Sequence, residues 1–152
     1  KEAGEFYTKS YRAINLQHLK PLASAEAMLA AINPEIFVGV VSNKQGPTLR
    51  QEVAELGWGK YFGAEVGAGD ATRDKPFADP ALLALEGSGI VADAHVWFIG
   101  DTGADLGCAQ SGGFTAILFR DEELAQPEFD GYPVHAHVRD HHELEALIRA
   151  NS

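Results

Sequence analysis

Short apolar runs of strand length alternate with helical patterns along most of this chain. The runs that predict strands lie at 36–42, 64–68, 95–100 and 114–119, with a short edge strand at 135–138. The helical patterns lie at 24–32, 46–56, 80–86 and 103–111, and a last helix follows Asp140. Parallel strands need long crossover connections, which helices supply. The alternation therefore predicts an α/β fold with a doubly wound parallel sheet.

The first part of the chain carries a different pattern. Tyr7, Tyr11 and Ile14 recur at the spacing of one helix face, which predicts an amphipathic helix over 5–19. Pro21 is expected to end that helix. The sequence begins with Lys1 rather than Met, which is typical of a fragment or an incomplete chain.

Charge and cysteine content exclude several classes of protein. The formal net charge is −10, whereas binding to a nucleic-acid backbone needs a basic surface. Cys108 is the only cysteine, so the sequence holds no intrachain disulfide and no thiolate metal cluster. No apolar run approaches the roughly 20 residues that span a membrane. We therefore expect a cytoplasmic globular domain without a nucleic-acid or membrane partner.

The run VWFIGDTGAD at 96–105 places two carboxylates beside a predicted strand tip. Asp101 follows the apolar residues directly, and Asp105 lies about one helical turn later. Two acids at the end of a buried strand are unfavourable unless they hold a cation. The alternative is that Asp101 caps the following helix and Asp105 is an exposed charge.

Two other predicted strands end in polar residues of a complementary kind. Ser42 and Asn43 follow the strand at 36–42, and the loop after the strand at 64–68 contains Lys75. Because parallel strands share one carboxyl edge, these groups are expected to meet the two aspartates there. A hydroxyl, an ammonium group and carboxylates that hold Mg²⁺ suit phosphoryl chemistry.

The three motifs, in this order, resemble a known superfamily. SN at 42–43, DKP at 74–76 and GDTGAD at 100–105 are similar to the second, third and fourth motifs of the haloacid dehalogenase-like (HAD) hydrolases. The closest branch is that of the phosphoglycolate phosphatase-like enzymes. The resemblance implies a HAD-type Rossmann-like core over 20–152, with residues 1–19 as the end of a helical cap domain.

The resemblance also implies a role for each motif residue. Ser42 and Asn43 would bind the transferring phosphoryl group, and Lys75 would pair with that group and with the nucleophile. Asp101 would hold Mg²⁺, and Asp105 would support it as a ligand or through a neighbour. The implied reaction is hydrolysis of a small phosphorylated metabolite through an aspartyl-phosphate intermediate. The oligomeric state is not implied.

The superfamily's first motif, of the form DxDGT, does not occur in this sequence. The nucleophilic aspartate, the acid–base aspartate and their strand are therefore expected outside these residues. In the superfamily that strand lies between the strands that end at Ser42 and at Gly100. We expect this slot to be filled by an upstream segment, since an empty slot leaves backbone groups unpaired.

Three alternatives remain open at this point. A metal-independent haloacid dehalogenase uses related motifs, but the paired acids of GDTGAD favour the metal-dependent branch. An inactive or regulatory HAD-like module would also lack the nucleophile. A receiver domain needs an acidic pair near its start, which residues 1–35 do not supply at a strand end.

Overall fold

Six parallel strands form one sheet in the computed structural model. It describes residues 6–10, 19–32, 35–120 and 131–151, with side chains from residue 25 onward. In spatial order β3-β2-β1-β4-β5-β6, the sheet consists of β1 (Phe6–Ser10), β2 (Phe37–Gln45), β3 (Ala64–Ala68), β4 (Val96–Gly100), β5 (Thr115–Phe119) and β6 (Ala136–Val138). The helices are α1 (Leu19–Ala31), α2 (Gly46–Leu56), α3 (Asp79–Leu85), α4 (Gly103–Gly112) and α5 (His141–Ala150). The predicted α/β fold with a parallel sheet is confirmed.

The helices cover both faces of the sheet. On one face, α1, α2 and α5 pack against the strands through residues such as Met28, Leu49 and Leu144. On the other, α3 and α4 contribute Leu85 and Leu106. All five residues of β4 are buried, and the first four, Val96 to Ile99, alternate between the two clusters. This burial on both faces explains the uninterrupted apolar run at 96–99.

The prediction of a helix over 5–19 is wrong at the central strand, β1. Residues 6–10 form β1 rather than part of a helix, and they pair in parallel with β2 on one side and with β4 on the other. The rest of the predicted helix, 11–18, lies outside the described residues. A strand does lie between β2 and β4, as predicted, but in this structure the chain itself supplies it.

A physical reason for the error lies in the neighbouring strands. Without a strand between them, β2 and β4 would each leave a row of backbone groups unpaired. The sequence of β1 is Phe-Tyr-Thr-Lys-Ser, and Phe, Tyr and Thr favour strands. Backbone pairing with β2 and β4 therefore outweighs the helical spacing of the apolar residues in this segment. The assignment of 1–19 to a cap domain in the whole protein stays a prediction.

Helix boundaries are otherwise close to those predicted, with two differences. The helix expected from Ser24 begins earlier, because α1 starts at Leu19 and includes Pro21 in its first turn, where a missing backbone N–H is tolerated. Helix α3 begins at Asp79, one residue before the predicted range of 80–86, and ends at Leu85. No helix in the described part of the chain is long and apolar enough to cross a membrane.

The architecture brings three loops to one edge. The carboxyl ends of β2, β3 and β4 point the same way, because all three strands are parallel. One sheet edge therefore carries Ser42, near the end of β2, together with the loop of Lys75 and Asp101. This is the edge at which ligand sites of open α/β sheets lie.

Candidate active site

Ser42 lies near the end of β2, where the strand departs from regular pairing. The register between β2 and β3 shifts between Val41 and Gln45. Within this interruption Ser42 Oγ accepts a hydrogen bond from the backbone N–H of Lys44 at 3.1 Å. The Ser42 residue is 3% exposed, and the next residue, Asn43, is exposed. With its oxygen accepting from Lys44, the hydroxyl keeps its proton to donate to another oxygen.

Lys75 reaches from its loop to Asp105 in α4. Its Nζ lies 2.5 Å from Asp105 Oδ1, and each side chain is 1% exposed. Burial of either charge alone would be strongly unfavourable, so each group depends on the other. The pair joins the DKP motif at 74–76 to the GDTGAD motif at 100–105 at the sheet edge, as the strand order predicts.

Asp105 is held by more than the lysine. Its Oδ2 accepts from the backbone N–H of Asp101 at 2.9 Å and of Thr102 at 3.1 Å, and from Thr102 Oγ1 at 3.0 Å. Thr102 caps α4 in return, since its Oγ1 accepts from the Asp105 N–H. Both carboxylate oxygens are thus engaged. Neither half of the alternative reading holds, because Thr102 caps the helix and Asp105 is buried.

Gly100 makes this arrangement possible. A Cβ atom at position 100 would collide with Cβ and Cγ of Asp105. The absence of a side chain at the last residue of β4 therefore lets the carboxylate fold back onto the strand end. The glycine that ends the apolar run is required by packing, which its place in the sequence does not reveal.

Asp101 is half-buried at the tip of β4. Arg120, directly after β5, donates from Nη1 to the Asp101 carbonyl oxygen at 3.1 Å. The Arg120 carbonyl in turn lies 2.7 Å from Nε2 of His137 in β6. The main chain at Asp101 is therefore fixed by the Asp105 carboxylate on one side and by Arg120 on the other. Sequence reasoning missed Arg120; the signal available was a cation placed directly after a buried strand.

Two cations that flank the motifs are engaged elsewhere. Lys44 Nζ pairs with Glu52 of α2 at 2.5 Å. Arg73 pairs with Asp79 at 3.0 Å and lies over the ring of Phe77, 4.2 Å from its centroid. Lys75 differs from both, since its ammonium group is buried at the sheet edge.

Cys108 lies in α4, one turn beyond Asp105, and is fully buried. Its burial is the main reason that the pKa of the thiol is raised to about 12, and the Lys75 charge offsets this only in part. A thiol in this environment is a packing residue, not a nucleophile.

The described residues supply few metal ligands. No group of three or more His, Cys, Asp or Glu side chains suited to a metal occurs among them. Asp101 and Asp105 are the carboxylates that follow β4 at this edge, and both oxygens of Asp105 are engaged. Magnesium often takes only one or two carboxylates and completes its shell with water and phosphate. The donor set fits such an ion through Asp101, with Asp105 behind it.

Comparison with known proteins identifies the superfamily that the three motifs resemble. The profile of the haloacid dehalogenase-like hydrolase family matches residues 1–119. Phosphoglycolate phosphatase of Escherichia coli is 34% identical over 80 residues, which cover 53% of this chain and 31% of the enzyme. The chain thus matches about a third of the length of that curated relative.

Solved structures share the fold. A HAD-superfamily hydrolase from Ehrlichia chaffeensis is similar with a TM-score of 0.72 and 26% identity, over 84% of this chain and 57% of that one. The HAD-hydrolase YfnB from Bacillus subtilis, solved bound to magnesium, gives a TM-score of 0.71 at 18% identity, over 83% and 55% of the two chains.

Proposed function

Because this chain belongs to the haloacid dehalogenase-like hydrolase family, we propose that the whole protein hydrolyses a small phosphate monoester with the help of Mg²⁺. The observation that carries the proposal is the buried Lys75–Asp105 pair, which lies at the same sheet edge as Ser42 and Asp101. The similarity to phosphoglycolate phosphatase supports a small phosphorylated metabolite as the substrate class.

Ser42, Asn43 and Lys75 bind the phosphoryl group in this proposal. The Ser42 hydroxyl accepts from the Lys44 amide, which orients its own proton for donation to a phosphoryl oxygen. Asn43 follows on the exposed side of the same turn. Lys75 supplies a positive charge that is buried, and hence little screened by water. Such donors stabilise the charge that develops on a transferring phosphoryl group.

Asp101 holds the metal ion in this proposal, and Asp105 supports it from behind. The Asp105 carboxylate accepts the Asp101 N–H, so it orients the residue that would contact the ion. A Mg²⁺ ion bound there neutralises negative charge on the substrate phosphate. Asp105 also holds Lys75, and it therefore couples the metal side of the site to the phosphate side.

The nucleophile comes from outside the described residues in this proposal. Its carboxylate oxygen forms a bond to phosphorus while the ester P–O bond breaks, and the alcohol leaves with a proton from a general acid. Water then attacks the aspartyl phosphate, which releases inorganic phosphate and restores the carboxylate. The sequence of β1, Phe-Tyr-Thr-Lys-Ser, contains no carboxylate that could serve.

The expected upstream segment that carries the nucleophilic aspartate is called the nucleophile-bearing segment below. Turnover of p-nitrophenyl phosphate by the protein together with this segment tests the proposal. We expect hydrolysis that stops with EDTA and returns with Mg²⁺. Asp101→Asn should lower kcat by about 100-fold or more with an unchanged circular dichroism spectrum, because it removes a charged metal ligand. Asp93→Asn is the matched control, since Asp93 precedes the same strand and contacts His95.

Two outcomes would contradict the proposal. Release of halide from a haloacid without any metal would identify a dehalogenase instead. Full turnover by Asp101→Asn that still requires Mg²⁺ would remove Asp101 from the metal site.

A further inference from the structure

Helix α4 meets the loop of Lys75 at a second place, beyond the ion pair. A Cβ atom at Gly107 would lie 2.7 Å from Cβ of Pro76, which is closer than two such carbons can approach. Ser111, one turn later on α4, donates from Oγ to the Pro76 carbonyl oxygen at 3.3 Å. Pro76 therefore sits directly on the helix, against Gly107 and next to Ser111.

Gly107 is unfavourable for the helix itself. Glycine in a helix interior has a lower propensity than alanine, because more backbone entropy is lost on folding. Local preference would place Ala at this position, and packing is what excludes it. The other neighbour of this position is Tyr132, with its ring edge and hydroxyl 3.4 Å from the same hypothetical Cβ, so room is limited on that side too.

A shift of Pro76 acts directly on the neighbouring residue, Lys75. Pro76 is bonded to Lys75, whose side chain is 1% exposed and ends on Asp105 Oδ1. Asp105 is fixed in turn by three further hydrogen bonds to its Oδ2. Movement of the loop away from α4 would therefore lengthen or misalign the contact between the two charges.

We infer that Gly107 and Ser111 are positioning residues, which set the place of the Lys75 ammonium by fixing Pro76 on α4. The inference rests on the proposed role of Lys75 as the phosphate-binding cation. Neither residue belongs to the motifs that contact substrate or metal. Their effect on the reaction passes through the main chain of the loop.

Gly107→Ala tests the inference in the turnover assay described above, with Gln110→Ala as the control. Gln110 is exposed on the same helix, so its replacement changes helix propensity while Gly107 and Ser111 stay as they are. We expect Gly107→Ala to lower kcat by about tenfold or more, since a small misplacement of a charged group is costly in catalysis. Gln110→Ala should retain wild-type kcat. Equal kcat for both variants would overturn the inference.

Urea denaturation of Gly107→Ala separates positioning from loss of stability. The kcat of the variant is measured at a temperature where urea denaturation shows that it is fully folded. A tenfold loss of kcat that disappears under this condition would show that Gly107 acts on the stability of the helix and not through Pro76.

Ser111→Ala and a spectroscopic signal complete the test. Ser111 is exposed, so its replacement leaves the core intact, and we expect kcat to fall by roughly fivefold through loss of one hydrogen bond. In the ¹H–¹⁵N spectrum, the Lys75 ammonium resonance should shift in Gly107→Ala and stay unchanged in Gln110→Ala. An unchanged resonance in Gly107→Ala would contradict the inference.

Lys75→Met distinguishes failure of this inference from failure of the proposed function. Wild-type turnover in Lys75→Met would remove Lys75 from the reaction and overturn the proposed function. Lost turnover in Lys75→Met, combined with wild-type turnover in Gly107→Ala, would leave that function standing and overturn the positioning role alone.

Discussion

Lys75 and Asp105 bury opposite charges where water screens neither, and this makes the pair a sensitive residue-scale probe. Lys75→Met or Asp105→Asn alone should lower the free energy of unfolding by about 3–5 kcal/mol, because the remaining charge stays buried without its partner. The double variant should lose less than the sum of the two. Urea denaturation of the chain measures all three.

Lys44 provides the control for this experiment. Its ion pair with Glu52 is far more open, with side chains 39% and 18% exposed. Lys44→Met should therefore cost less than about 1 kcal/mol. Additive effects of the two buried substitutions would show that Lys75 and Asp105 do not depend on each other.

Cys108 gives a second prediction at this scale. With its pKa raised to about 12 by burial, only about one thiol in ten thousand is ionised at pH 8. Iodoacetamide reacts with the thiolate, so the folded chain should resist alkylation at pH 8 and react readily in urea. Mass spectrometry of the single cysteine reads the result directly. Rapid alkylation of the folded chain would mean that α4 opens locally.

Which site residues could be predicted from the sequence depends on how local their signal is. Ser42, Lys75, Asp101 and Asp105 follow apolar runs, so the topology of a parallel sheet brings them to one edge. The sequence could not show that both oxygens of Asp105 are engaged. It also could not show why residue 100 is a glycine, because that requirement arises only when the chain folds back from α4.

At the scale of elements, β2 to β6 and α2 to α5 follow from patterns within each segment. Apolar runs mark the strands, and features such as Pro47 in the first turn and Gly57 at the end mark α2. β1 has no such local mark. Its conformation depends on two strands far away in the sequence, whose backbone groups it pairs.

Hydrogen exchange tests whether β1 keeps its place in the sheet when another segment competes for that place. In the isolated chain, the amides of residues 7–9 should exchange as slowly as those of Val40 and Phe98, their neighbours in the sheet. When the nucleophile-bearing segment is present, we expect it to take the central slot. Residues 6–10 should then lose protection, while Val40 and Phe98 keep theirs.

Protection that persists at 6–10 in the presence of that segment would show that β1 is the permanent central strand. It would also contradict the prediction that residues 1–19 belong to a helical cap. Loss of protection at Val40 and Phe98 as well would mean that the sheet had come apart.

For the whole molecule, we predict that residues 1–152 alone show no Mg²⁺-dependent hydrolysis of p-nitrophenyl phosphate. In the proposed function, Lys75, Ser42 and Asp101 bind and orient groups, and none of them is the nucleophile. Addition of the nucleophile-bearing segment should produce activity, and the same addition to Asp101→Asn should not. Turnover by purified residues 1–152 would show that the catalytic aspartate lies among them.

The place of β1 in the sheet also has a mechanical consequence. Among the described strands, β1 is the one that joins β3 and β2 on one side to β4, β5 and β6 on the other. Lys75 follows β3 and Asp105 follows β4, so their ion pair bridges the same seam at its edge. A pulling force applied across the sheet would act at once on the backbone hydrogen bonds of β1 with its neighbours and on this ion pair. The ion pair between Lys75 and Asp105 thus also links the two halves of the sheet at this edge.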